Sequence, residues 1–128
     1  MCVEAYAAGL LDGEGCIHIN ITNGQLQVLF GITDRGPLDI LASRWSGNVR
    51  TAKRKTSGGR SVYEWAISGS YALEFLQEIR AWMYGKGEQA DIALTYPMVG
   101  TGFTLPEEMR VQRQDLGKQL KALKRRKE

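Results

Sequence analysis

From position 5 to position 15 the chain reads Ala-Tyr-Ala-Ala-Gly-Leu-Leu-Asp-Gly-Glu-Gly, and this run constrains what the rest can become. Ala5, Gly9 and Gly13 recur every four residues, with Ala8 and Asp12 beside them, so on a helix they share one face. Two glycines inside a short helix cost about 1 kcal/mol each relative to alanine. Close packing of backbone against backbone would offset that cost, which predicts a helix–helix contact lined by Ala5, Ala8, Gly9, Asp12 and Gly13. A face of this kind needs a twin, so a symmetric homodimer is expected. Asp12 and Glu14 lie at its end, and no Lys or Arg precedes Arg35 to neutralise them. The pair of helices would therefore deliver carboxylates to one point. An EF-hand calcium loop is excluded, because it needs an acid or Asn where Cys16 stands and Gly where Ile17 stands. The plain alternative is a helix–turn–strand junction with two solvated acids.

Length and composition narrow the setting. A chain of 128 residues suits one domain with its own core. Two cysteines make no disulfide framework, which points to an intracellular, reducing compartment. No apolar run approaches the roughly 20 residues of a membrane span, and the N-terminus lacks the basic residues of a secretory or mitochondrial leader. Net charge is only +3, but 13 of the 17 Lys and Arg fall within 50–60 and 110–127. Basic clusters beside an acidic N-terminal third suggest polyanion binding with a separate metal-binding locus.

Taken in order, a helix over 3–13 gives way to a strand at Cys16. Ile17, Ile19 and Ile21 alternate with His18, Asn20 and Thr22; after Asn23-Gly24, Leu26, Val28, Phe30 and Ile32 continue the alternation. Asn-Gly predicts a two-residue hairpin loop that pairs Thr22 with Gln25, Asn20 with Gln27 and His18 with Leu29. One face is then core, while His18, Asn20, Thr22, Gln25 and Gln27 mark the other. That polar face suits either plain solvent exposure or the reading of base edges, since a two-stranded ribbon fits the major groove. Asp34 is placed to cap a short helix with a Leu38, Leu41 and Trp45 stripe. A second hairpin follows, with Asn48, Arg50, Ala52 and Arg54 outward on one strand. Tyr63, Trp65 and Ile67 form the core face of the return strand, with Val62, Glu64, Ala66 and Ser68 opposite. Arg50, Lys53, Arg54, Lys55 and Arg60 are five cations without an intervening acid, a pattern that favours phosphate contact. Ser70 is expected to cap the next helix, whose stripe is Ala72, Phe75, Leu76, Ile79, Trp82 and Met83. A break at 84–90, a helix with Ile92 and Leu94, and a last helix with Met109, Leu116, Leu120 and Leu123 complete the chain. The basic turn at 124–127 is equally compatible with phosphate contact and with fraying.

The run Ala7-Ala8-Gly9-Leu10-Leu11-Asp12-Gly13-Glu14-Gly15 resembles the signature of the LAGLIDADG homing endonucleases, with Ala for the first Leu and Glu for the penultimate Asp. The resemblance spans roughly residues 4–96. It implies a mixed α+β fold with an αββαββα core, a four-stranded antiparallel sheet used as a DNA saddle, and additional C-terminal helices. The core domain would occupy 1–96, with 97–128 a loop and basic helix of the same domain. By position it implies that Glu14 binds a catalytic divalent metal, assisted by the Gly13 backbone carbonyl. Lys86, three places before Gln89-Ala90, would lie at the active-site rim, and Asp34 would be an accessory catalytic residue. The DNA-contacting set would then be His18, Asn20, Thr22, Gln25, Gln27, Asn48, Arg50, Lys53, Arg54, Lys55, Arg60 and Glu64.

The expected activity is metal-dependent double-strand cleavage of a near-palindromic site by a homodimer. Two saddles side by side would span two helical turns, roughly 20 base pairs. An all-oxygen site with few protein ligands suits Mg²⁺, with Mn²⁺ expected to substitute and Ca²⁺ to bind without supporting cleavage. The same scaffold would also suit a non-catalytic DNA-binding regulator or an RNA-splicing maturase.

Overall fold

A computed structural model describes residues 2–53, 61–99 and 104–126, the side chains of residues 53, 61, 125 and 126 excepted. The chain runs α1 (Val3–Glu14), β1 (Gly15–Ile19), β2 (Leu26–Ile32), α2 (Arg35–Trp45), β3 (Val49–Lys53), β4 (Ser61–Ser68), α3 (Gly69–Ile79), α4 (Gly87–Ala93) and α5 (Glu107–Arg126), with a 3₁₀ turn at Arg80–Trp82. The strands form one antiparallel sheet in the order β1-β2-β4-β3. This is the mixed α+β architecture with a four-stranded antiparallel sheet that the patterning predicts.

Alternation in the strands decides which sheet face is buried. Ile17, Ile19, Leu26, Val28, Phe30, Trp65 and Ile67 point one way and pack against Ala7, Ala8 and Leu11 of α1, Leu38 and Leu41 of α2, and Phe75 and Leu76 of α3. An aromatic group joins these layers. Phe75 meets Trp45 at 4.7 Å, Trp65 at 5.7 Å and Phe30 at 6.3 Å between ring centroids, in the tilted and edge-on geometries favoured by ring quadrupoles. Both indole N–H groups find acceptors: Trp45 donates to Glu78 Oε2 at 2.7 Å and Trp65 to the Ser46 carbonyl at 2.9 Å.

Several local expectations change. The first hairpin pairs His18 with Gln27 and Ile19 with Leu26, two residues away from the register of a two-residue loop. The turn is wider because the Asn20 side-chain oxygen accepts the backbone N–H groups of Thr22 (2.8 Å) and Asn23 (3.1 Å), while the Asn20 carbonyl accepts from Gly24. Ile21 accordingly leaves the core row and is exposed. Ser70 caps nothing; α3 starts at Gly69, whose φ of 59° a glycine adopts without strain. Trp82 leaves the buried stripe because α3 ends at Ile79 and the 3₁₀ turn rotates it outward. Val62 is buried although it lies on the sheet face opposite Trp65.

Residues beyond Tyr96 cover the outer edge of β1. The Tyr96 hydroxyl donates to the Gly24 carbonyl at 2.6 Å, and the Arg113 guanidinium lies 4.5 Å over the Tyr96 ring. Arg113 Nε also donates to the Pro97 carbonyl. Gly117 permits close approach: a Cβ there would lie 3.0 Å from the Ile19 carbonyl oxygen. Leu120 and Leu123 are buried, and Lys124 Nζ donates to the Ile17 carbonyl at 2.6 Å. A helix therefore satisfies part of a sheet edge that would otherwise offer unpaired backbone groups.

Candidate active site at the end of the first helix

Glu14 is the last residue of α1, and Gly15 starts β1 without an intervening loop. Gly15 makes this junction possible. A Cβ at this position would overlap Leu11 Cδ1 and come within 3.0 Å of both Leu11 Cα and Phe30 Cε1. The Gly15 N–H closes the helix by donating to the Leu11 carbonyl. Since α1 has no basic residue in its last turn, the cation that complements the helix end comes from elsewhere. Lys86 Nζ donates to the Leu11 carbonyl at 3.0 Å and the Asp12 carbonyl at 2.8 Å.

Asp12 closes the other half of this latch. One carboxylate oxygen accepts the Tyr84 N–H and the other accepts the Lys86 N–H, both at 2.8 Å. Burial raises the Asp12 pKa, but the backbone donors at Tyr84, Lys86 and Gly85, with the Lys86 charge, outweigh it and hold the group below its ordinary value. Burial lowers the Lys86 pKa, with Asp12 opposing it most strongly. The Asp12 carboxylate is thus turned inward to its own chain. Glu14, by contrast, is exposed and makes no hydrogen bond or ion pair among the described residues.

The expected helix–helix face divides into two parts. Ala8 is fully buried within the chain alongside Ala7 and Leu11, so it belongs to the core; Asp12 is withdrawn by its latch. Gly9 and Gly13 are exposed, and a Cβ on either would meet nothing within 4 Å; Ala5 is half-buried. Lys86, expected at the rim of the active site, spends two of its three donors on the end of α1. The Asp34 carboxylate accepts the Gly36 N–H at 3.0 Å. It is the N-cap of α2, one of the two roles expected for it.

Of the residues expected to read DNA, His18 and Gln27 are neighbours across the first hairpin, with Ser68 next in the same row. Burial lowers the His18 pKa first, and the charges of Lys124 and Lys121 lower it further. The Asn20 side-chain oxygen accepts the Thr22 and Asn23 N–H groups and so holds the turn together. Thr22 and Gln25 are exposed in that turn rather than in paired strand positions, and Asn48 is exposed ahead of β3. Arg50 faces Glu64 across the second hairpin, with an ion pair at 3.2 Å. The side chain of Lys53, and Arg54, Lys55 and Arg60, lie outside the described residues.

One participant was hidden in the chain's basic tail. Lys124 Nζ also donates to Cys16 Sγ at 3.3 Å, beside Lys86, and both lysines line an open pocket of about 410 Å³ with Asp12, Gly15, Cys16 and Gln89. Its spacing on α5 relative to Leu120 and Leu123 was the available signal, but that spacing does not say which strand the helix packs against.

No protein-family sequence model matches the chain, and no curated protein sequence does. Solved structures do. The chain aligns with the homing endonuclease I-CvuI in complex with the I-CreI target in the presence of 2 mM Mg, with the DNA not cleaved. The TM-score is 0.71 at 20% identity over 94% of this chain and 80% of that one. It also aligns with I-CvuI bound to its own target in the presence of 2 mM Ca, with a TM-score of 0.57 at 18% identity over 89% of this chain and 94% of that one. A helix ending in an acid, followed by antiparallel hairpins in one sheet, thus has the fold of the LAGLIDADG homing endonucleases.

Proposed function

We propose that the protein is a site-specific DNA endonuclease of the homing type, which cuts both strands of a near-palindromic duplex of roughly 20 base pairs as a homodimer. The observation that carries this reading is the contrast between two acids two residues apart. Each Asp12 carboxylate oxygen accepts a backbone N–H, whereas Glu14, at the end of α1, is exposed and unpaired among the described residues. An acid held in that way has its lone pairs available to a cation. Beside it, Gly9 and Gly13 offer a bare face that no side chain among the described residues fills.

Among the described residues no three His, Cys, Asp or Glu side chains converge on one point. The donor set on offer is therefore Glu14 with the Gly13 carbonyl, supplemented by the same pair from a second copy and by the phosphate itself. All are hard oxygen donors, which fit Mg²⁺. When bound, such an ion supplies Lewis acidity and eases deprotonation of water. The chain's own residues do the rest. Gly15 and the Asp12–Lys86 latch hold the carboxylate in place, the bare face of α1 meets its symmetry mate, and His18, Gln27 and Arg50 orient the duplex on the sheet. The alignment with homing endonucleases in complex with DNA targets supports double-stranded DNA as the partner.

Glu14→Gln tests the reading. The variant keeps the shape of the side chain and loses its charge, so cleavage of a selected DNA site in Mg²⁺ is expected to fall by at least about 10²-fold. Affinity measured in Ca²⁺ should change little. Cleavage by the variant at the wild-type rate would refute the metal-site assignment, and binding without cleavage by the wild type would make the chain a DNA-binding regulator.

A further inference from the structure

The end of α1 is gripped by a segment that belongs to no regular element. Tyr84 and Lys86 supply the N–H groups that Asp12 accepts, and Lys86 Nζ supplies the donors to the Leu11 and Asp12 carbonyls. These residues lie between the 3₁₀ turn at Arg80–Trp82 and α4. The Tyr84 side chain is 96% exposed and adds little packing. The following helix, α4, has seven residues, and its N-cap, Lys86, makes no side-chain cap bond. Isolated helices shorter than about 12 residues are marginal in water, so tertiary contacts must hold the segment and α4 in place.

Arg80 and Asp91 bracket that segment. Arg80 Nε donates to one Asp91 carboxylate oxygen at 2.6 Å, and Nη2 donates to the other at 2.9 Å. Two parallel bonds between planar groups fix orientation as well as distance, so the pair ties the 3₁₀ turn to α4 across eleven positions. Gly87 makes room for it: a Cβ there would lie 3.1 Å from Arg80 Nη2 and 3.3 Å from Cζ. The hydrogen bond from Arg80, with its charge, outweighs burial and holds the Asp91 carboxyl below its ordinary value. The Asp91 side chain is 59% exposed, and exposed pairs contribute little to global stability. Local opening of a short surface segment, however, involves small free energies, so a tie of fixed geometry is enough to set how often this one opens.

We propose that Arg80 and Asp91 form a clasp that positions the candidate active site, closing residues 83–87 on the last turn of α1. The clasp keeps the Asp12 latch made, and the latch keeps the Glu14 carboxylate in place. Arg80 and Asp91 bond to each other rather than to Glu14, so both are positioning residues that act through Asp12. The consequence for cleavage rests on the nuclease reading; the consequence for the latch does not.

The test compares Arg80→Met and Asp91→Asn, singly and together, in the full chain. Without DNA or metal, hydrogen exchange at the Tyr84 and Lys86 amides, resolved by NMR, is expected to quicken about five-fold or more in each single variant. Exchange in the core strands β2 and β4 should not change, and the melting temperature should shift little. The double variant should exchange no faster than the faster single one, because the two side chains act as a unit. Arg35→Met, which breaks the exposed Arg35–Asp39 pair on α2, should leave both amides as they are. Unchanged exchange at Tyr84 and Lys86, additive acceleration in the double variant, or equal acceleration throughout the core overturns the clasp. In Mg²⁺, cleavage of a selected DNA site by either single variant should slow about five-fold or more, with affinity in Ca²⁺ unchanged. Wild-type cleavage by a variant with a loosened latch overturns the positioning role and leaves the nuclease reading standing. A wild-type chain that does not cut fails that reading, while the exchange rates still decide the clasp.

Discussion

At the scale of single residues, the candidate site depends on which polar groups are spent and which are left over. Asp12, Asp34, Asn20 and Lys86 are all polar residues placed near a catalytic or readout role by their chemistry, and each is engaged with the backbone of its own chain. Glu14 is exposed and makes no hydrogen bond or ion pair among the described residues, and His18 stays on the sheet face with lysines for neighbours. His18 permits a signed prediction. Burial, followed by Lys124 and Lys121, holds its pKa below the ordinary value of 6.5. The unfolded chain therefore binds the proton first as pH falls through that value, and stability drops from there down to the lower folded-state pKa. His18→Gln should flatten this acid-side loss, measured by urea unfolding between about pH 7.5 and 5. An unchanged slope would show that His18 is not the group responsible.

At the scale of elements, α1 is unusual in being fully committed on one face and bare on the other. Ala7, Ala8 and Leu11 are buried in the core, whereas a Cβ on Gly9 or Gly13 would meet nothing within 4 Å among the described residues. Nothing among the described residues packs against the glycines, although each lowers helix stability by about 1 kcal/mol relative to alanine. This separates folding from association. Gly9→Leu should leave the protomer folded, with helix propensity improved by up to about 1 kcal/mol, and should abolish the proposed homodimer by filling its contact face. Sedimentation and thermal unfolding of the same sample distinguish the two effects. A Gly9→Leu dimer of undiminished affinity would place the interface elsewhere.

At the scale of the whole molecule, the C-terminal helix is part of the site. It packs along the outer edge of β1 through Gly117, Leu120 and Leu123, and it brings Lys124 to Cys16 and the Ile17 carbonyl. Removing residues 104–128 would expose the surfaces that Leu120 and Leu123 bury, worth about 1.5–3 kcal/mol for each side chain, and would leave β1 as an open edge. The truncated chain should unfold at distinctly lower urea concentration and associate on warming, as followed by light scattering. Unchanged stability would mean that α5 is a passenger on the core.

Periodicity alone determined much of this protein. Spacing of three and four residues marks α1 to α3, alternation marks the strands and their buried face, and the order of elements follows from the turn residues between them. Such signals are local, since each side chain's direction is set by its own backbone. Alternation has a period of two and cannot distinguish hairpin registers that differ by two residues; the side chain of Asn20 decided that case by widening the turn. Burial of Ala8 was also beyond local reach, because one small residue serves a core or an interface equally well. The links that shape the candidate site join Asp12 to Lys86 across 74 positions and Ile17 to Lys124 across 107. Contacts at that separation leave no periodic trace, so tertiary packing alone decided which acid is tied down and which is left exposed.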